Sequence, residues 1–85
     1  MDANAQQPKI VIYTSPTCGF CYMVERYLDQ KGKKYSKKDI SVDQEALEFV
    51  LNKVGQAVTP IITIGEKVVI GFDRPKIDEA LKAAA

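Results

Sequence analysis

The chain of 85 residues holds no histidine and only two cysteines. One chain therefore cannot supply a structural zinc site, which takes about four cysteine or histidine ligands. Long apolar runs are also missing, since none approaches the roughly 18 residues that span a bilayer. The opening stretch, MDANAQQPK, has no apolar segment and carries an acid at Asp2, so it does not read as a signal peptide. Neither sign of charge is in excess: 12 Lys and Arg stand against 11 Asp and Glu, for a net charge of +1. That balance exerts no strong pull on nucleic acid or on an anionic membrane. No internal repeat or linker divides the chain.

What is present fits one small α/β domain over residues 9–85, preceded by a flexible lead over residues 1–8. Apolar residues make up 46% and charged residues 27%, the balance of an ordinary globular protein. The expected compartment is the cytoplasm, where thiols are kept reduced. A structural disulfide is not expected there, and one closing a two-residue gap would add little stability.

The run IVIY at 10–13 is apolar, β-branched and bounded by Pro8 and Ser15-Pro16, which predicts a buried strand. Phe20, Met23, Val24, Tyr27 and Leu28 then recur at helical spacing, and Lys31-Gly32 closes that helix. KYSKKDI at 34–40 fits a second strand. Ser41 with Gln44 offers a capping box, and Asp43 an alternative cap, for a helix whose inner face is Leu47, Val50, Leu51 and Val54, ended by Gly55. IITI at 61–64 and KVVI at 67–70 flank Gly65-Glu66, a hairpin turn of type II′. Asp73 or Arg74, followed by Pro75, starts a last helix facing inward through Ile77, Ala80, Leu81 and Ala84. The order is β-α-β-α-β-β-α, with a parallel pair joined by a helical crossover and an antiparallel pair beside it. The cluster Lys31, Lys33, Lys34, Lys37 and Lys38 reads as a solvated strand edge that discourages edge pairing, with a docking patch for an acidic partner as the other reading.

The stretch YTSPTCGFCYMVERYL at 13–28 holds both cysteines. Cys18 falls at the start of the first helix and Cys21 one turn further in. Positions i and i+3 of a helix have Cβ atoms roughly 5–6 Å apart, and a disulfide needs about 3.8 Å, so a small adjustment closes the bond. Unpaired helix-terminal N–H groups favour thiolate at the first position. This predicts Cys18 as the attacking thiol and Cys21 as the resolving one. Two other readings stand beside it: a zinc site shared between two chains, and two inert buried thiols. A C-x-x-C at a strand-to-helix junction in a small α/β domain favours redox chemistry.

From about Lys9 to Leu81, the sequence resembles the glutaredoxins. The likeness rests on IYTSPTCGFC, on VTPIITIGEKVVIGF at the appropriate distance, and on the element order. It implies a thioredoxin fold with strand order 2-1-3-4 and a cis Thr59-Pro60 bond facing Cys18. It implies a substrate groove formed by Val58, Thr59 and Pro60, with Gly71, Phe72 and Asp73 opposite, and Gly19 and Phe20 tuning the motif from inside. A substrate segment would pair with the Thr59 backbone as an added strand. The activity implied is reduction of protein or glutathione-mixed disulfides by a monomer. It needs no tightly bound cofactor; the Cys18–Cys21 disulfide is the redox group.

Departures from the glutathione-using pattern bear on the reductant. Ser15 stands where those proteins carry a lysine, Phe72 where they carry a second glycine, and Arg74 where they carry an aspartate. Two ligand-holding charges are thus missing or reversed, each contributing on the order of 1.5–3 kcal/mol. Asp73, one position early, could compensate. The stretch Gly71-Phe72-Asp73-Arg74-Pro75 is more similar to the redoxins that serve ribonucleotide reductase and are recharged by thioredoxin reductase. Glutathione and thioredoxin reductase both stand as candidate reductants. Gly19-Phe20 is also the interior of the monothiol Cys-Gly-Phe-Ser glutaredoxins, which leaves a carrier with an iron–sulfur cluster bridged by Cys18 of two subunits as the alternative.

Overall fold

The computed structural model describes residues 9–84. The expected lead over residues 1–8 lies outside them, as does the side chain expected to face inward at Ala84. The elements are β1 (Ile10–Thr14), α1 (Gly19–Gln30), β2 (Ser36–Asp39), α2 (Gln44–Val54), β3 (Ile61–Ile64), β4 (Lys67–Ile70) and α3 (Arg74–Ala84). The strands form one sheet in the order β2-β1-β3-β4. β1 runs parallel to β2 and antiparallel to β3, and β3 runs antiparallel to β4. This is the thioredoxin arrangement, in the order 2-1-3-4, that the family resemblance implies.

Strand alternation splits the apolar residues between two layers. Ile10, Ile12, Ile62, Ile64 and Val69 face Val24 and Leu28 of α1 and Ile77 and Ala80 of α3. Val11, Tyr13 and Ile61 face Ala46 and Val50 of α2. The central strand β3 is buried along its whole length, as a strand covered on both sides must be. The β3–β4 turn pairs Ile64 with Lys67 across Gly65-Glu66. Gly65 takes φ of 60° and, among the described residues, no non-glycine residue has positive φ, which fits the expected type II′ turn and excludes type I′.

Several details depart from the sequence expectation or decide between its alternatives. On α1 the buried residues are Cys21, Val24 and Leu28, while Phe20 and Met23 are 59% and 45% exposed. The apolar face is turned toward Cys21, which behaves as a small buried hydrophobe. On α2 the cap is Asp43, whose carboxylate accepts the Ala46 N–H at 3.0 Å. Ser41 is engaged elsewhere: its N–H and hydroxyl both donate to Asp39, which holds the Asp39 carboxyl below its ordinary range. Leu51 is 42% exposed, and Phe49 takes its share of packing by stacking on Tyr13 at 5.0 Å. The second strand is also shorter than expected, with the exposed sequence SKKD at the sheet edge.

Helix α1 ends as a Schellman motif. The Gly32 N–H donates to the Asp29 carbonyl and the Lys33 N–H to the Leu28 carbonyl, both at 3.0 Å. This fixes the far end of the helix whose near end carries the cysteines.

Candidate redox site

The β1–α1 junction aims the motif. After Thr14 the chain turns through Pro16-Thr17, and the Cys18 N–H donates to the Ser15 carbonyl at 3.1 Å. Cys18 is the N-cap of α1, in extended conformation, and its sulfur accepts the Cys21 N–H at 3.2 Å. A sulfur thus occupies the position in which a serine or aspartate oxygen ordinarily satisfies a helix-terminal donor. Cys18 and Cys21 are disulfide-bonded, with Cα atoms 5.5 Å apart.

The two sulfurs differ in surroundings. Cys18 is half-buried and opens into a cleft of about 580 Å³ that Phe20, Met23 and Thr59 also line. Cys21 is 3% exposed, and its sulfur lies 4.0 Å from the Tyr13 carbonyl oxygen. In the reduced protein a thiol there can donate to that carbonyl.

The Thr59–Pro60 peptide bond is cis. Thr59 comes to the cleft, and its hydroxyl hydrogen-bonds the Ser15 hydroxyl at 3.0 Å, joining the two loops that flank Cys18. Pro60 is buried, and its carbonyl accepts the Gly71 N–H at 2.8 Å. Gly71 adopts φ of 80°, a conformation that side chains rarely take, so glycine suits the bend from β4 toward α3. Val58 packs against the α2 layer instead of lining the cleft. Phe72 packs on the other layer, edge-on to Tyr27 at 6.1 Å, and lines a neighbouring cleft. Asp73 caps α3, its carboxylate accepting the Lys76 N–H at 3.2 Å. Gly19 and Phe20 form the exposed first turn of α1.

The structure therefore brings Cys18, Gly19, Phe20 and Thr59 to one cleft, with Gly71 behind it on Pro60. Sequence reasoning missed Met23 as a lining residue and gave Ser15 no role. Counting Cys21 among the apolar positions of α1 would have found Met23, because it rotates the buried face by one position. Nothing local marks the Ser15–Thr59 bond, which spans 44 residues. Among the described residues no group of three or more His, Cys, Asp or Glu side chains could hold a metal ion, and no helix is long and apolar enough to cross a membrane.

A parallel-antiparallel sheet of this order, with a Cys-x-x-Cys pair at the start of the first helix and Thr59 in the same cleft, is the arrangement of a thioredoxin-fold protein suited to thiol–disulfide chemistry. The family profile that matches residues 10–69 is Glutaredoxin. The chain is 32% identical over 66 residues to a glutaredoxin of Pseudomonas aeruginosa, covering 78% of this chain and 79% of that one. It is 27% identical over 73 residues to a glutaredoxin-like 8.6 kDa protein in the rubredoxin operon of Clostridium pasteurianum, covering 86% and 97%. Among solved structures, the thioredoxin-like protein BC3987 superposes with a TM-score of 0.78 at 32% identity, over 86% of this chain and 100% of that one. The chain belongs to the glutaredoxin family, whose general activity is thiol–disulfide oxidoreduction.

Proposed function

We propose that the chain reduces protein disulfides by a dithiol mechanism, with Cys18 as nucleophile and Cys21 as resolving thiol. The observation that carries this reading is the helix N-terminal hydrogen bond from the Cys21 N–H to the Cys18 sulfur, beside a buried partner thiol. In the reduced protein that bond falls on a thiolate, the form that attacks disulfides. The Cys18 thiolate attacks one sulfur of the substrate disulfide. A mixed disulfide forms and the first substrate thiolate leaves. Cys21 loses its proton to solvent and attacks the Cys18 sulfur. The Cys18–Cys21 bond forms, the second substrate thiolate leaves, and both substrate thiolates take protons from solvent. Two electrons pass from the dithiol to the substrate.

Thr59, next to the cis bond and beside Cys18, is the residue whose backbone would hold the substrate strand; the Ser15 hydroxyl keeps that loop in position. Val58 and Pro60 support it from beneath, and Gly71 does so through the Pro60 carbonyl. Glutathione is the weaker candidate for recharging the enzyme. Ser15 carries no charge and is already bonded to Thr59, Arg74 has the wrong sign for an ammonium group, and the Asp73 carboxylate is engaged in capping α3. Thioredoxin reductase is the favoured electron source, and the Gly-Phe-Asp-Arg-Pro stretch supports ribonucleotide reductase as a substrate. The protein acts as a cytoplasmic monomer in this reading.

The test is disulfide reduction driven by NADPH through two recycling systems in parallel, glutathione with glutathione reductase, and thioredoxin reductase alone. Turnover with thioredoxin reductase alone is expected. Turnover confined to glutathione would overturn the assignment of reductant, and activity in neither system would overturn the oxidoreductase reading.

A further inference from the structure

The cleft at Cys18 does not end there. Met23 lines it and also lines a second cleft of about 410 Å³, walled by Tyr22, Arg26, Phe72 and Arg74. One groove therefore runs from the disulfide along the outer face of α1 to the β4–α3 corner. Its near half is open, with Phe20 and Met23 at 59% and 45% exposure, and Tyr22, at 62%, stands in the far half. Its far half carries two arginines and no lining carboxylate.

The neighbouring acids are occupied. Glu25 pairs with Lys37 at 3.2 Å, Asp29 accepts the Tyr35 hydroxyl, and Asp73 caps α3. Asp78 accepts the Tyr27 hydroxyl at 2.6 Å and pairs with Lys31 at 3.1 Å. Arg26 rests over the Tyr22 ring at 5.9 Å. Among the described residues, neither Arg26 nor Arg74 lies within ion-pair distance of a carboxylate. Two unpaired guanidinium groups at the end of this groove suit a carboxylate that arrives with the substrate.

Building on the oxidoreductase reading above, we propose that this groove receives the protein substrate's chain beside its reacting cysteine and selects an aspartate or glutamate about four residues from that cysteine. The register follows from geometry. Eight helical residues from Cys18 to Arg26 rise about 12 Å, and an extended chain covers that distance in about four residues at roughly 3.3 Å each. Side chains between the cysteine and the acid lie against Phe20 and Met23. The contact adds specificity that the disulfide chemistry itself lacks, because opposite charges steer encounter and fix register.

The test uses the pre-reduced full chain and symmetric disulfide-linked peptide dimers. Each peptide has Glu, Gln or Lys four residues from its cysteine, in one series on the N-terminal side and in another on the C-terminal side. Second-order rate constants are read by stopped flow at low salt, with 2-hydroxyethyl disulfide as an uncharged reference. In at least one series the order is Glu, Gln, Lys, with Glu over Lys by about three- to tenfold. Added salt compresses that range, and Arg26→Glu inverts the order. Equal rates for the three peptides in both series, or an order unchanged by Arg26→Glu, would overturn the proposal. If the reference disulfide is reduced while the peptides are not discriminated, the groove assignment alone fails. If the reference is not reduced either, the oxidoreductase reading fails and takes the groove assignment with it.

Discussion

Replacing Cys21 with serine and reducing the protein leaves Cys18 as the sole thiol of the chain. Its ionisation then reports what the start of α1 contributes. The Cys21 backbone N–H, 3.2 Å from the Cys18 sulfur, is kept in that variant. A hydrogen bond to a charged group contributes about 1.5–3 kcal/mol. The helix dipole is not added separately, because its positive end consists largely of these same N–H groups. At about 1.4 kcal/mol per factor of ten, the thiol's ionisation constant rises about 10- to 150-fold over that of an unperturbed cysteine. Cys18 is half-buried, not enclosed, so the lower part of that range is expected. The assay is the ultraviolet absorbance of thiolate against pH, for the folded variant and for the same variant in guanidinium chloride. The folded protein should titrate at distinctly lower pH. A depressed folded pKa stabilises the charged form, so its stabilisation of the reduced fold is present above the unfolded thiol pKa and lost as pH falls through the folded one. Coincident titrations, or a folded titration at higher pH, would refute the claim that the helix end activates Cys18.

Other outcomes follow from packing and titration. Leu28 is fully buried under the sheet, so Leu28→Ala should cost about 2–5 kcal/mol in denaturant unfolding, whereas Phe20→Ala, at an exposed site, should change stability by less than about 0.5 kcal/mol. Asp43→Ala removes the α2 cap and should lower stability by about 0.5–2 kcal/mol, with Ser41→Ala the milder change. Burial, and then its hydrogen bond to Asp29, raises Tyr35 to about 12. A raised folded pKa means that the stabilisation is fully present below tyrosine's ordinary range, near 10, and is lost as pH rises through about 12. Denaturation midpoints of Tyr35→Phe should therefore fall less steeply across that window than those of the parent.

Much of the fold could be read locally. IVIY, IITI and KVVI are short apolar runs between turn residues, and Gly65 opens a two-residue connection, so the strands and the hairpin needed no tertiary information. Helix phase was harder. Phe20 and Met23 have the spacing and chemistry of core residues, yet the sheet buries Cys21, Val24 and Leu28, and this rotation is what opens the groove. The α2 cap was ambiguous because Ser41 and Asp43 are both good caps, and only the chain path shows Ser41 held by Asp39. The cysteine pair was legible from spacing alone. Thr59, Pro60 and Gly71 came to it only through the resemblance, and the Ser15–Thr59 and Gly71–Pro60 hydrogen bonds were not legible, since these residues meet only once β1, β3 and β4 are side by side. Asp73 illustrates a competition that sequence cannot rank, because a carboxylate at a helix start can serve either a ligand or its own helix.

The central claim is that Cys18 attacks and Cys21 resolves, and trapping tests it most directly. The Cys21→Ser and Cys18→Ser variants, each reduced, would be mixed with a disulfide-bonded protein substrate and the adducts mapped by mass spectrometry. The structure predicts a stable mixed disulfide on Cys18 in the first variant and little on Cys21 in the second, where the thiol is 3% exposed. An adduct on Cys21 with none on Cys18 would contradict the assignment, and the absence of adducts in both would contradict the chemistry.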